Sequence, residues 1–210
     1  MGARNSCEKK KQVPLIIFDW DDTLLCTSYL EELKVTLESQ ISSNLSNKLE
    51  KLSQKTYALL TKAQSLGNVV IVTNASLKWV KETCKKFVPK IKDLLKNILI
   101  ISAREMYSSS KSENRVIWKY KAYMSVINTY SSSNIIAFGD SPHDREAILK
   151  ARDFLGLNRC KSVKFVFNPS IHSLTSEISL IYECIDHLVL RENNMDLTLI
   201  VNSNIVTYVP

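Results

Sequence analysis

The chain has 210 residues, enough for one well-buried core and too few for two domains of comfortable size. An apolar share of 45% beside 23% charged residues excludes a disordered chain, and no apolar run is long enough to cross a bilayer. A net charge of +7 favours an anionic partner, whether phosphoprotein, phospholipid surface or nucleic acid, without choosing among them.

In chain order, residues 1–12 read as a flexible basic tail. Met1-Gly2-Ala3-Arg4-Asn5-Ser6 fits the N-myristoylation pattern, Cys7 follows as an acceptor for palmitate, and Lys9, Lys10 and Lys11 stand just behind. One acyl chain binds membranes only marginally, so the second signal gives the cluster its meaning: a tether to the cytosolic face of a membrane. The five cysteines lack metal-like or paired spacing, which fits reduced thiols in the cytoplasm.

Residues 13–210 read as one domain. A strand runs from Val13 to Trp20. Leu30, Leu33, Leu37 and Ile41 have helical spacing, and Leu49, Leu52, Tyr57 and Leu60 continue it, with a break at Ser42, Ser43 and Asn44. Gly67 ends that helix and Asn68 to Thr73 is a second buried strand. The pattern then predicts a helix over Leu77 to Lys96, a strand over Ile98 to Ser102, a polar loop over Ser108 to Ser112 and a helix over Glu113 to Thr129. Strands follow at Ile135 to Phe138 and Val163 to Phe167, then a helix from Thr175 to Arg191, with candidate edge strands at Leu197 to Val201 and Ile205 to Val209. Strands alternating with helices imply a mainly parallel sheet of about five strands with helices on both faces. The lysines at 78, 81, 85, 86, 90, 92 and 96 have the spacing of a solvated helix face.

The chemistry lies in two acidic clusters, Asp19-Trp20-Asp21-Asp22-Thr23 and Gly139-Asp140-Ser141-Pro142-His143-Asp144. Each follows an apolar, β-branched run and so sits at a strand's carboxyl end, where open α/β sheets place their sites. Carboxylates gathered there repel one another unless a cation lies between them, and hard oxygen donors with few nitrogens or sulfurs point to Mg²⁺. Asp19 and Asp21 can face one ligand if the segment stays extended. A cap for the next helix explains Asp-Asp-Thr locally, just as Asn74 or Ser76 can cap the helix after strand two, and Ser141-Pro142-His143-Asp144 suits a capped helix start. His143 reads as an exposed loop residue. In the helical segment over Glu113 to Thr129, Val116, Ile117, Tyr120, Tyr123, Met124 and Ile127 form a stripe with Lys119 and Lys121 on opposite borders, and periodicity does not choose between the two lysines.

In order and spacing these residues resemble the haloacid dehalogenase superfamily of aspartate-nucleophile phosphohydrolases, over about residues 14–168. The first motif is matched at Asp19 to Thr23, the second at Thr73-Asn74, the third by Lys119 or Lys121 and the fourth at Gly139 to Asp144. The resemblance implies a three-layer α/β/α Rossmann-like domain and a Mg²⁺-dependent phosphomonoester hydrolase. In it Asp19 is the nucleophile forming an aspartyl-phosphate and Asp21 the general acid and base. Thr73 and the backbone N–H of Asn74 hold phosphoryl oxygens. The metal is assigned to Asp19, the backbone carbonyl of Asp21, Asp140 and Asp144, the last orienting metal-bound water. Family members place the lysine near its helix start, which favours Lys119. The intervals between motifs leave no room for a large cap domain, so the resemblance implies a macromolecular substrate such as a phosphoprotein. A polynucleotide end phosphatase and a non-catalytic phosphate-binding module are the competing readings.

Overall fold

The computed structural model describes residues 13–108, 114–202 and 205–209, with side chains as far as residue 200. The tail with Gly2 and Cys7, and the loop positions 109–112, lie outside the described residues.

Seven strands form one sheet in the order β3-β2-β1-β4-β5-β6-β7. They are β1 (Leu15–Phe18), β2 (Asn68–Thr73), β3 (Leu99–Ser102), β4 (Asn134–Gly139), β5 (Arg159–Lys164), β6 (Met195–Asn202) and β7 (Ile205–Val209). Six are parallel, and β7 runs antiparallel to β6 along the edge. The helices are α1 (Thr27–Glu32), α2 (Ser43–Leu66), α3 (Leu77–Phe87), α4 (Ala103–Tyr107), α5 (Arg115–Tyr130), α6 (Pro142–Leu155) and α7 (Ile171–Leu190).

Successive strand residues face opposite sides of a sheet, so continuous apolar strands feed two cores. Ile16, Phe18, Ile71, Ile136 and Phe138 pack with α2, α3 and α7, whereas Leu15, Ile17, Val70, Val72, Ile135 and Ala137 pack with α5 and α6. The result is three layers, helices on both faces of the sheet. At the ends of β1 and β4 the rings of Phe18 and Phe138 stack at 4.8 Å, and Phe138 meets Phe165 edge-on at 6.2 Å. Such pairs each add roughly 0.5–1.5 kcal/mol beyond area burial. They form a stiff floor one residue below Asp19 and two below Asp140. Strand order reverses between β1 and β4, which opens a crevice at their carboxyl ends.

Several expected boundaries move, each for a local reason. The first strand stops at Phe18 because the chain folds over at once: the carbonyl of Trp20 accepts from the N–H groups of Leu24 and Leu25 at 2.9 and 3.1 Å. The helix expected through Ile41 ends at Glu32, with Lys34 at φ 55°. Thr36 and Ser39 beyond it bond each other's backbone and side chains, an alternative that short hydroxyl residues offer against helix. Pro89 ends α3 at Phe87 and leaves two short 3₁₀ turns before β3. The fifth strand lies four residues earlier than expected. Its polar run Arg159-Cys-Lys-Ser conceals it, because the buried Lys161 is satisfied by Asn134 Oδ1 at 2.8 Å and the Arg159 carbonyl at 3.3 Å. Helix α7 starts at Ile171 rather than Thr175, behind a Ser170 cap, and α4, behind a Ser102 cap, adds a helix to those the pattern predicts. Six of the seven lysines at 78–96 are exposed, as a solvated face requires, while Lys86 donates to the Ser39 carbonyl at 2.8 Å. No helix of the described residues is long and apolar enough to cross a membrane.

Candidate active site

Asp19 follows β1 directly, and its N–H still donates to the Phe138 carbonyl at 2.9 Å, so its backbone is fixed by the neighbouring strand. Alternation from Phe18 sends its side chain toward the face covered by α5 and α6. On that face α5 presents Lys119, buried to 1% exposure. Its Nζ lies 2.8 Å from Asp19 Oδ1 and 2.6 Å from Asp144 Oδ1, and donates to the Val72 carbonyl at 2.8 Å. Three acceptors match the three protons of an ammonium. Lys121 is exposed, so the structure brings Lys119 to the acids and not its neighbour. The expected stripe is displaced accordingly: Lys119 sits within a buried face of Val116, Trp118, Ala122, Tyr123, Val126 and Ile127, and Ile117 is exposed.

Asp144 comes from the first turn of α6. Ser141 Oγ accepts from the Asp144 N–H and donates to Asp144 Oδ2 at 2.7 Å, while the Ser141 N–H reaches the same oxygen at 3.3 Å. The capped helix start expected from sequence is therefore present, and it aims the other oxygen of Asp144 at Lys119. His143 lies in α6 and is half-buried. Asp140 ends the β4 turn with 6% exposure, and among the described residues its carboxylate has no hydrogen-bond or ion-pair partner.

One carboxylate oxygen from each of Asp19, Asp140 and Asp144 lies within 4.8 Å of the other two. Burial pushes Asp19 up to about 7; the Lys119 ammonium opposes this and the Asp144 charge adds to it. Burial, then repulsion from Asp19 and Asp144, pushes Asp140 up to about 8. Burial works against the charged form of Lys119, but Asp144 and Asp19 together outweigh it and hold its pKa above the ordinary lysine range. Two buried acids, Asp19 and Asp144, thus share one organic cation, and the third, Asp140, stands beside them without a partner. An all-oxygen donor set of this kind suits Mg²⁺. Asp19 and Asp140 fit a direct role. Asp144 has both oxygens engaged by Lys119 and Ser141, which fits the expected role behind the metal.

Thr73 ends β2, where its buried Oγ accepts from the Ala75 N–H at 3.0 Å and keeps its own proton for a ligand. Asn74 Oδ1 is buried without a partner. Ser76, not Asn74, caps α3, by accepting from the Trp79 N–H at 3.1 Å. The segment after Asp19 does not stay extended, and Asp21 is not one of the three clustered acids; its side chain is held by Thr27 Oγ1 at 2.5 Å and Trp79 Nε1 at 2.9 Å, near enough for its charge to help raise Asp19. The capping role belongs to its neighbour: Asp22, at φ 52°, accepts from the Ser28 N–H at 2.9 Å and from the Ser28 hydroxyl, closing the start of α1. Trp79, Thr27 and Ser28 were not singled out from the sequence. No motif marks them, because their contacts span turns and distant elements.

Gly139 is required by close approach. A Cβ there would fall 2.6 Å from both Cβ and Cγ of Asp144. Gly139→Ala is expected to destabilise by about 1–3 kcal/mol, the usual range for overpacking. Urea denaturation measures that loss, and a neutral result would mean α6 shifts without consequence.

No protein-family model matches the chain, and no curated protein matches it in sequence. Solved structures similar to it include a protein described as a beta-phosphoglucomutase from Thermotoga maritima, 12% identical with a TM-score of 0.40, covering 79% of this chain and 91% of that one. Another is a haloacid dehalogenase-like family hydrolase from Streptococcus pneumoniae, 14% identical with a TM-score of 0.40, covering 88% and 93%. The fold of this chain is defined by the strand order and register above.

Proposed function

We propose that the chain is a Mg²⁺-dependent phosphomonoester hydrolase acting through an aspartyl-phosphate on Asp19. The reading is carried by the buried pairing of Lys119 with Asp19 and Asp144, set beside the partnerless carboxylate of Asp140. Lys119 offsets the charge an anionic phosphate would meet on approaching Asp19. An oxygen of Asp19 attacks phosphorus; the P–O ester bond breaks with its electron pair on the ester oxygen, which takes a proton from Asp21. Water then attacks the phosphorus, gives a proton to Asp21, and the Asp19 carboxylate is released with inorganic phosphate. Thr73 Oγ–H and the Asn74 N–H would orient the phosphoryl oxygens. When bound by Asp19, Asp140 and the Asp21 carbonyl, Mg²⁺ would supply the remaining charge neutralisation.

The described segments between β1 and β2 are α1, an irregular stretch and α2, and α2 packs against α7; between β2 and β3 there is α3 with two short turns. Neither interval contains a separate lid domain, which supports a macromolecular substrate such as a phosphoprotein, whose own surface would exclude water. The test is hydrolysis of p-nitrophenyl phosphate with and without Mg²⁺. Wild type should turn over only with the metal, and Asp19→Asn should lose at least about a thousandfold, the scale seen when a nucleophile is removed. Activity surviving that substitution would rule out Asp19 as nucleophile, and an inert wild type would favour a phosphate-binding module.

A further inference from the structure

The carboxylate of Asp21 is gripped on one oxygen only. Trp79 Nε1 and Thr27 Oγ1 both donate to Oδ1, and Oδ2 has no partner among the described residues. The grip is built into the packing rather than into a mobile side chain. A second tryptophan, the fully buried Trp20, donates from Nε1 to Thr83 Oγ1 at 3.1 Å, and that hydroxyl donates on to the Trp79 carbonyl at 2.7 Å. The two indoles therefore cross-brace the turn after β1 to α3, one in each direction. The start of α3 is itself pinned: Ser76 caps it, and the Leu77 N–H donates to Glu105 Oε2 of α4 at 3.2 Å.

We infer that Trp79 is a positioning residue that selects which oxygen of Asp21 handles the proton. This rests on the acid and base role given to Asp21 above. An indole N–H can only donate, whereas the Thr27 hydroxyl can donate or accept, so Trp79 decides the arrangement. A protonated oxygen is a poor acceptor, and a proton on Oδ1 would weaken the bond from Trp79. The proton is thereby kept on Oδ2, the free oxygen, which delivers it to the departing ester oxygen and receives one from the attacking water. Without Trp79 the carboxyl group can turn, and the oxygen that faces the ester need no longer be the one that carries the proton.

The test compares two substrates on Trp79→Phe, which keeps a ring and removes the donor. Glycerol 2-phosphate has an alkoxide leaving group that must be protonated as it departs; p-nitrophenolate leaves without a proton. Displacement of a catalytic group by about 1 Å costs on the order of a hundredfold. Trp79→Phe is therefore expected to lower kcat on glycerol 2-phosphate by about tenfold to a hundredfold with KM within about threefold. The fall in the first-turnover release of p-nitrophenol, followed by stopped flow, is expected to be at least about tenfold smaller. Trp79→His, which can present a ring N–H, is expected to recover part of the loss. A misfolded fraction would lower both substrates alike, so equal losses, or no loss on either, would overturn the positioning role while leaving the hydrolase reading intact. An inactive wild type, or an active Asp19→Asn, would overturn that reading and this role with it.

Discussion

Lys119→Met is expected to destabilise the metal-free protein by about 3–5 kcal/mol near pH 8, the range for removing one partner of a buried ion pair. Methionine nearly conserves the buried volume, so the loss reports charge rather than a cavity. The substitution leaves Asp19 and Asp144 facing each other in a site where Asp19 is 7% and Asp144 4% exposed. Asp19, already pushed up by burial, would lose the ammonium that opposes that push, and the folded variant would hold a proton that the unfolded chain has already released. Stability therefore falls with rising pH in the variant, and the deficit against wild type is expected to shrink toward pH 5. Urea denaturation at the two pH values measures it. A deficit that does not change with pH would assign Lys119 to packing alone and remove its charge from the site.

The fold was legible wherever strands are rich in β-branched residues: Asn68 to Thr73 and Ile205 to Val209 stand where expected. It was illegible where a tertiary partner satisfies a polar strand residue, as Asn134 does for Lys161, or where hydroxyl pairing replaces helix, as at Thr36 and Ser39. The acids of the candidate site share the same contrast. Asp19, Asp140 and Asp144 could be placed together because each lies within a few residues of a strand end, and strand ends in a parallel sheet converge. Asp21 could not be placed, because its direction depends on a turn that reverses within five residues and on an indole 58 positions away. Periodicity left Lys119 and Lys121 level and only the resemblance favoured Lys119; the physical difference lies in the α5 packing, which buries that lysine and exposes its near neighbour.

Mg²⁺ should raise the melting temperature most where protons no longer compete for the acids. At about a hundred times its dissociation constant a ligand bound only by the native state adds about 2.7 kcal/mol, or roughly 5–10 °C for a chain of this length. Asp140, lifted to about 8, and Asp19, lifted to about 7, hold protons in the folded state that the unfolded chain has lost above its ordinary carboxylate pKa near 4. The native state thus binds more protons than the unfolded state between those limits, and metal-free stability declines as pH rises through that window. Metal binding must expel the same protons, so the Mg²⁺-induced shift is expected to be full above about pH 8 and to fade toward pH 6. Asp140→Asn separates the two effects. Removing a partnerless acid relieves repulsion, so the metal-free variant is expected to melt above metal-free wild type at pH 8.5, while its response to Mg²⁺ largely disappears. Differential scanning fluorimetry with and without chelator gives both quantities. A wild type indifferent to Mg²⁺ at pH 8.5, or an Asp140→Asn variant with the full shift, would mean that the three carboxylates do not form a cation site.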